Sequence, residues 1–223
     1  MSYLLRVVLP DRPGMLGAVA TAIGAAGGDI VSLDVVERGP GGAVDDLLVE
    51  LAPGGLADRL VSSAQSVPGV VVESLRPYAG ATDLHRDLEL VEELAAARGN
   101  TLALLVDSTP GVFRAGWALV LQGQPGVAAA RVLAGSAGAP GAAELDLPWL
   151  PLDRARRMGP HEDWVPERWE ALGIEMAAAP IGDDCTAVLL GRPGGPRFRA
   201  SEVLRLAHLA GIAATVQRSD PQR

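Results

Sequence analysis

Apolar positions along the first third of the chain alternate or recur at helical spacing, in a regular order. Tyr3, Leu5, Val7 and Leu9 share one face of an extended segment, which predicts a strand over residues 3–9. Leu16, Val19, Ile23 and Ala26 recur at helical spacing and predict a helix over about 14–26, with Gly27-Gly28 as its stop. Val31, Leu33 and Val35 alternate within a second strand, 30–37. After the turn Gly39-Pro40-Gly41-Gly42, a third strand, 43–51, alternates through Leu47, Val49 and Leu51. A helix over about 55–66, a strand at 70–75 and a linker from Pro77 to Thr82 complete the run. The order β-α-β-β-α-β predicts a ferredoxin-like split βαβ arrangement with both helices on one sheet face. The other face carries Leu4, Val8, Ile30, Val36 and Leu48 among Arg6, Ser32, Asp34 and Glu50. It is too apolar to be left to water, so a partner subunit, the second domain or a neighbouring sheet is expected to cover it.

The second half opens with a predicted helix over 83–97, striped by Leu84, Leu88, Val91 and Leu94. Strands are expected at 101–107, 116–121 and 127–133, with the turn at 122–126 and a flexible loop at 135–142. Short helices are expected at 153–158 and 166–171. Strands at 175–181 and 186–191 flank the turn Gly182-Asp183-Asp184. A last helix, 201–216, carries the stripe Leu204, Ala207, Ile212 and Ala214 to Thr215. Helices flanking an antiparallel sheet make the fold class α+β.

Composition narrows the function. The chain of 223 residues is long enough for two small domains, and 48% of it is apolar. Its net charge of −8 disfavours broad contact with nucleic acid or an anionic membrane. All the basic residues are Arg and there is a single Asn, a pattern expected of a GC-rich, bacterial coding sequence. The cluster Arg154, Arg156 and Arg157 lacks interleaved aromatics and reads as a solvated helix face. One cysteine, Cys185, gives no internal disulfide and no CxxC site. No apolar run reaches the length of a bilayer span, and the N-terminal pattern is not that of a signal peptide. A cytoplasmic protein is expected.

The richest local chemistry lies between the first strand and first helix, in Leu9-Pro10-Asp11-Arg12-Pro13-Gly14-Met15-Leu16-Gly17. Pro13 suits a helix start, and Gly14 allows close approach to the backbone. Free N–H groups of Gly14, Met15 and Leu16, at the positive end of the helix dipole, are suited to a carboxylate. Asp11 or Asp29 offers an acceptor for an ammonium group. The competing reading is a helix capped by Asp11 with no ligand.

These residues also carry a resemblance. The alternating strand, Asp11-Arg12-Pro13-Gly14-Met15-Leu16, the small-residue helix from Gly17 to Gly27 and Gly28-Asp29-Ile30-Val31-Ser32-Leu33 resemble the ACT family of regulatory domains over residues 1–78. The resemblance implies paired sheets and an amino-acid site at the seam, built from Asp11, Arg12, Pro13, Gly14, Met15 and Leu16 with Asp29 and Ile30. The family often has Asn where this chain has Asp29. After a linker at 79–82, residues 83–217 resemble a divergent GAF (or PAS-like) domain, on Pro180 to Val188, Gly191 to Phe198 and Ser201 to Leu204; a tail, 218–223, follows. The combined expectation is a non-enzymatic, homodimeric sensor of a small amino acid or related carboxylate, with no cofactor, metal, nucleic acid or membrane. A ligand-free interaction module is the alternative. An enzyme pocket among Trp149, Trp164, Trp169 and the 135–142 loop is a weaker one.

Other candidates carry less. His161-Glu162-Asp163 are consecutive, so their side chains diverge and do not make a metal site. His85 and His208 are lone helical histidines. Ser108, Ser136 and Ser201 lack a nucleophile elbow. Gly191 to Gly195 lacks the lysine of a phosphate-binding loop.

Overall fold

The computed structural model describes residues 1–78, 86–124, 127–141 and 145–219. The chain divides into two compact units, Met1–Leu84 and His85–Arg223.

The first unit runs β1 (Ser2–Leu9), α1 (Met15–Ala25), β2 (Gly28–Gly39), β3 (Gly42–Leu51), α2 (Ala57–Gln65) and β4 (Val71–Pro77). Its antiparallel sheet has the order β2-β3-β1-β4, so β2 and β4 are the edges. Leu5, Val7 and Leu9 of β1 pack with Val19 and Ile23 of α1 and Leu60 of α2 in one core. The expected alternation in the second strand fails. The register of β2 on β3 shifts between Ile30 and Ser32 and again between Val35 and Glu37. Each bulge inserts a residue and re-aims the side chains. Ile30 and Leu33 therefore both pack against the helix-side core, while Val31 is turned out and exposed; Val35 keeps the face of Leu33 but is exposed at the sheet edge.

On the opposite face Leu4 and Leu48 are buried, and so is Arg6, which had been expected among the polar positions there. Arg6 and Asp46 stand directly opposite each other on β1 and β3. Arg6 Nε and Nη2 donate to Asp46 Oδ1 and Oδ2 at 2.7 and 2.8 Å. A buried guanidinium tolerates loss of solvent only with such a two-pronged partner.

The second unit runs α3 (Arg86–Ala96), α4 (Thr101–Val112), β5 (Trp117–Gln124), β6 (Val127–Gly135), β7 (Arg156–Met158), α5 (Glu167–Ala171), β8 (Glu175–Ile181), β9 (Asp183–Arg192) and α6 (Ala200–Ser219). Its sheet has the order β6-β5-β9-β8-β7. One core joins Leu90, Leu94, Leu105 and Ala210 of the helices to Val120 and Val188 of the sheet. On the other face Trp117, Trp149, Trp169 and Met158 form a second core.

Four expectations change here. Residues 101–107 form a helix, not a strand. Their apolar run reads either way, and the buried positions Thr101, Leu105, Val106 and Thr109 follow helical spacing. Pro110 cannot supply an N–H, and α4 ends at Val112. Residues 156–158 form edge strand β7 on β8, not part of a helix, which buries Met158 and leaves Arg156 and Arg157 solvated. Residues Asp183 and Asp184 begin β9 rather than lying wholly in the turn. The helix stripes rotate: Leu88 and Leu204 are exposed, while α3 buries Leu90 and Leu94 and α6 buries Leu206, Leu209, Ala210, Ala213 and Ala214. The rotation of α6 has a local cause. Glu202 in its first turn accepts from the buried Arg192 at 2.7 Å and from the Arg199 amide at 2.8 Å. The Arg192 guanidinium also stacks 3.9 Å from the Phe198 ring centre.

Asp46→Ala leaves the Arg6 charge buried without its partner. It should destabilise the first unit by about 3–5 kcal/mol, read from hydrogen exchange of the amides of residues 1–78. A loss below about 1 kcal/mol, the scale of an exposed pair, contradicts the assignment.

Candidate functional site

The mouth of α1 is built by a turn that ends in an unusual backbone angle. The Arg12 amide donates to the Pro10 carbonyl at 2.9 Å, and Met15 to the Arg12 carbonyl at 3.3 Å. Gly14 then takes φ +89° and acts as the N-cap with no side-chain cap hydrogen bond. A Cβ added at Gly14 meets nothing within 4 Å, so the demand for glycine is conformational and not steric. The first bond back into the helix runs from Ala18 to the Gly14 carbonyl at 2.9 Å. Among the described residues the amides of Gly14, Leu16 and Gly17 have no intramolecular partner. Two details differ from the sequence reading. The Met15 amide is already bonded, and Asp11 does not cap the helix. It faces Arg38 of β2 at 3.2 Å in an exposed ion pair.

Asp11, Arg12, Pro13 and Gly14 are exposed, Met15 is buried in the core and Leu16 is half-buried. Asp29 is exposed opposite Glu50, and Ile30 is half-buried. The structure gathers the first six of these residues and does not bring Asp29 and Ile30 to them. The loop is tied to Arg38 near one end of β2, and Asp29 stands near the other. Nine residue steps of strand separate Asp29 from Arg38, roughly 25–30 Å.

One buried acid of the first unit went unnoticed in the sequence. Asp45 of β3 is 3% exposed. It stands opposite Val7 on β1 and Val35 on β2, on the face whose neighbours Ala43 and Leu47 join the helix-side core. Its Oδ1 is buried without a hydrogen-bond partner. Burial pushes its carboxyl above the ordinary range. Arg38 opposes that shift, and Asp46 and Asp11 add to it. The signal was in the sequence: adjacent Asp45 and Asp46 in an alternating strand must point to opposite faces.

In the second unit, Trp149, Trp164 and Trp169 pack on one another, with ring centres 5.7 and 6.4 Å apart. Trp149 and Trp169 belong to the second core, and Trp164 packs against it. A cavity of about 370 Å³ lies elsewhere, between Leu102 of α4, Gln122 of β5, Ile181 of β8, Thr186 of β9 and Gln217 of α6. His161 faces Glu170 at 2.8 Å, while Glu162 accepts from the Gly159 amide and the Trp164 indole, so the consecutive trio diverges. No group of three or more metal-ligating side chains occurs among the described residues. Partial burial and the adjoining Asp184 and Asp183 push the Cys185 thiol up, away from thiolate chemistry. His208 is exposed on α6; His85 lies outside the described residues.

The split βαβ unit with its bare helix mouth is a small α+β module. Residues 3–69 match the family model of the ACT domain. No curated protein sequence matches the chain. Among solved structures, the free methionine-R-sulfoxide reductase of Neisseria meningitidis, solved with its substrate, aligns at a TM-score of 0.51 and 13% identity, over 66% of this chain and 98% of that one. That likeness is one of fold. The GAF domain of a phosphoenolpyruvate-protein phosphotransferase from Coxiella burnetii aligns at 0.48 and 12% identity, over 62% and 96%. The corresponding Acinetobacter domain aligns at 0.46 and 10%, over 63% and 95%. The fold is α+β with antiparallel sheets, its N-terminal part is ACT-like, and GAF domains are among its structural neighbours.

Gly14→Ala should destabilise the first unit by about 1–2 kcal/mol, since an L side chain at this φ is strained, read by the same exchange experiment. Asp45 carries a pH signature, set by its burial and by the charges of Arg38, Asp46 and Asp11. A carboxyl raised on folding lowers stability as pH climbs from the unfolded value through the folded one. Relative to wild type, Asp45→Asn should therefore melt higher at pH 7 than it does at pH 3.5; an unchanged difference contradicts the raised carboxyl.

Proposed function

We propose that the chain is a non-enzymatic regulatory protein that binds a small amino acid, or a related carboxylate, at the mouth of α1. The observation that carries this reading is the set of unpartnered amides of Gly14, Leu16 and Gly17 at an exposed helix start. Amides so placed, at the positive end of a helix dipole, are an anion receptor. ACT and GAF domains are regulatory ligand-binding modules, which supports the regulatory half of the proposal.

The placement of Asp29 and Ile30 favours a homodimer. β2 is an edge strand with Val31 and Val35 exposed. Two copies related by a twofold axis can pair antiparallel along this edge. A register centred between Leu33 and Asp34 sets Asp29 opposite the partner's Arg38, beside the partner's loop. The seam then gathers the eight residues that one copy keeps apart. The second unit serves contact between copies, relay or a second small ligand, and the exposed Leu88 of α3 and Leu204 of α6 are its candidates for a helical contact. No described helix is long and apolar enough to cross a membrane. With its single cysteine, the protein suits a reducing cytoplasm.

Titration calorimetry with each of the twenty amino acids should give heat with at least one, at protein concentrations near a millimolar. Silence from all of them rejects the reading. In light scattering, the wild type should show twice the chain mass and Val35→Lys should shift it toward one chain, since a charge on an edge opposes pairing. A wild type of single-chain mass rejects the seam.

A further inference from the structure

We propose that the open end of the helix-side core in the second unit binds a small uncharged molecule that carries an amide or lactam group on an apolar body. The site is the cavity of about 370 Å³ described above between α4, α6 and the sheet. The inference gives content to the second small ligand named for this unit and takes nothing from the α1 mouth.

The pattern of the sheet creates the site. Ala118 and Val120 of β5 stand opposite Leu190 and Val188 of β9, and all four belong to the core beneath the helices. The next pair on that face is polar, with Gln122 opposite Thr186. Thr186 is 6% exposed and Gln122 is half-buried, so the change from apolar to polar happens under cover. Ile181 and Ala214 of the same core, with Leu102 and Leu133 packed against it, supply apolar walls. The volume takes about a dozen waters at about 30 Å³ each. A ligand with an apolar body removes those walls from water, which water itself cannot do.

The polar groups of the cavity have unused capacity. Gln122 Nε2 donates to Thr186 Oγ1 at 3.4 Å, longer than an ordinary hydrogen bond. That contact leaves the Gln122 side-chain oxygen, its second N–H and the Thr186 hydroxyl proton without partners among the described residues. The half-buried side chain of Gln217 also has none there. Carboxamides and a hydroxyl both donate and accept, and the complement of such a set is a group that does both, as an amide does. The rim carries one cation and one anion, Arg218 and Asp183, both exposed. Arg218 donates to Thr215 Oγ1 at 3.4 Å, and Asp183 Oδ1 accepts from the amides of Cys185 and Thr186 at 3.0 and 2.7 Å. The two charges offset each other across the opening, so neither sign of ligand is selected.

The test follows the backbone amides of the full-length chain by heteronuclear NMR during titration with three probes that share one ring. They are benzamide, acetophenone, which keeps its shape without the N–H, and benzoate, which is charged. Benzamide should bind in the millimolar range, as expected for its size, and shift the resonances of Gln122, Gly182, Thr186 and Gln217. It should bind about fivefold or more tightly than either of the others, because they leave a polar group of the site unpartnered. Thr186→Val keeps the side chain's shape without the hydroxyl and should bring the preference over acetophenone below about twofold. Should Thr186→Val fail to fold by circular dichroism, Gln217→Leu takes its place. Absence of shifts at these residues up to about 30 mM benzamide means that the cavity holds water alone and overturns the proposal. Equal binding of the three probes, shifts centred on other residues or an undiminished preference in the variant overturns it as well. Heat from an amino acid, with shifts at residues 14–17, decides the α1 reading separately, so either site can fail while the other stands.

Discussion

A single positive φ at Gly14 governs the chemistry of the first unit. An ordinary helix start places an extended Ser, Thr, Asp or Asn at the N-cap, and its side chain turns back to satisfy an amide of the first turn. Here the chain steps into the helix through a left-handed glycine, and nothing folds back. The helix survives this because its stability comes from elsewhere: Met15, Val19 and Ile23 are buried against the sheet. Tertiary packing holds the helix, and its first turn is left open to solvent or to a ligand.

The buried charges follow one rule with one exception. Arg6 is closed by Asp46 across two strands, and Arg192 is closed by Glu202 and the Phe198 ring. Both pairs also have geometric consequences, since one joins the centre of the sheet and the other sets the rotation of α6. Asp45 has neither a cation in hydrogen-bond contact nor a consequence of that kind.

Much of the first unit was legible in the sequence because its strands alternate and its turns are punctuated by glycine and proline. The six elements come in the expected order. What alternation could not show is a bulge: the residue inserted after Ile30 in β2 changes which side chains face inward, and a strict period of two misassigns Ile30 and Val31. The second unit was less readable. The apolar run from Leu102 to Val106 suits a strand or a buried helix, and only the packing of α4 decides between them. The stripe of α6 depended on the contact of Glu202 with Arg192, ten residues away. The loop at Gly14 was legible as a helix start, but the left-handed angle and the Arg38 contact of Asp11 arise from the turn and from a strand far along the chain. Asp45 was hidden by its twin, since adjacent carboxylates in a strand look alike until their faces are assigned.

The distribution of aromatic side chains separates the two units optically. The four tryptophans, at 117, 149, 164 and 169, all belong to the second unit, and three of them are buried in one core. The two tyrosines, Tyr3 and Tyr78, belong to the first. Light absorbed by indole alone thus reports on one half of the chain. A metabolite that docks on the other half can alter that emission only if the disturbance crosses from one half to the other, so the protein carries its own unlabelled gauge of communication along the chain.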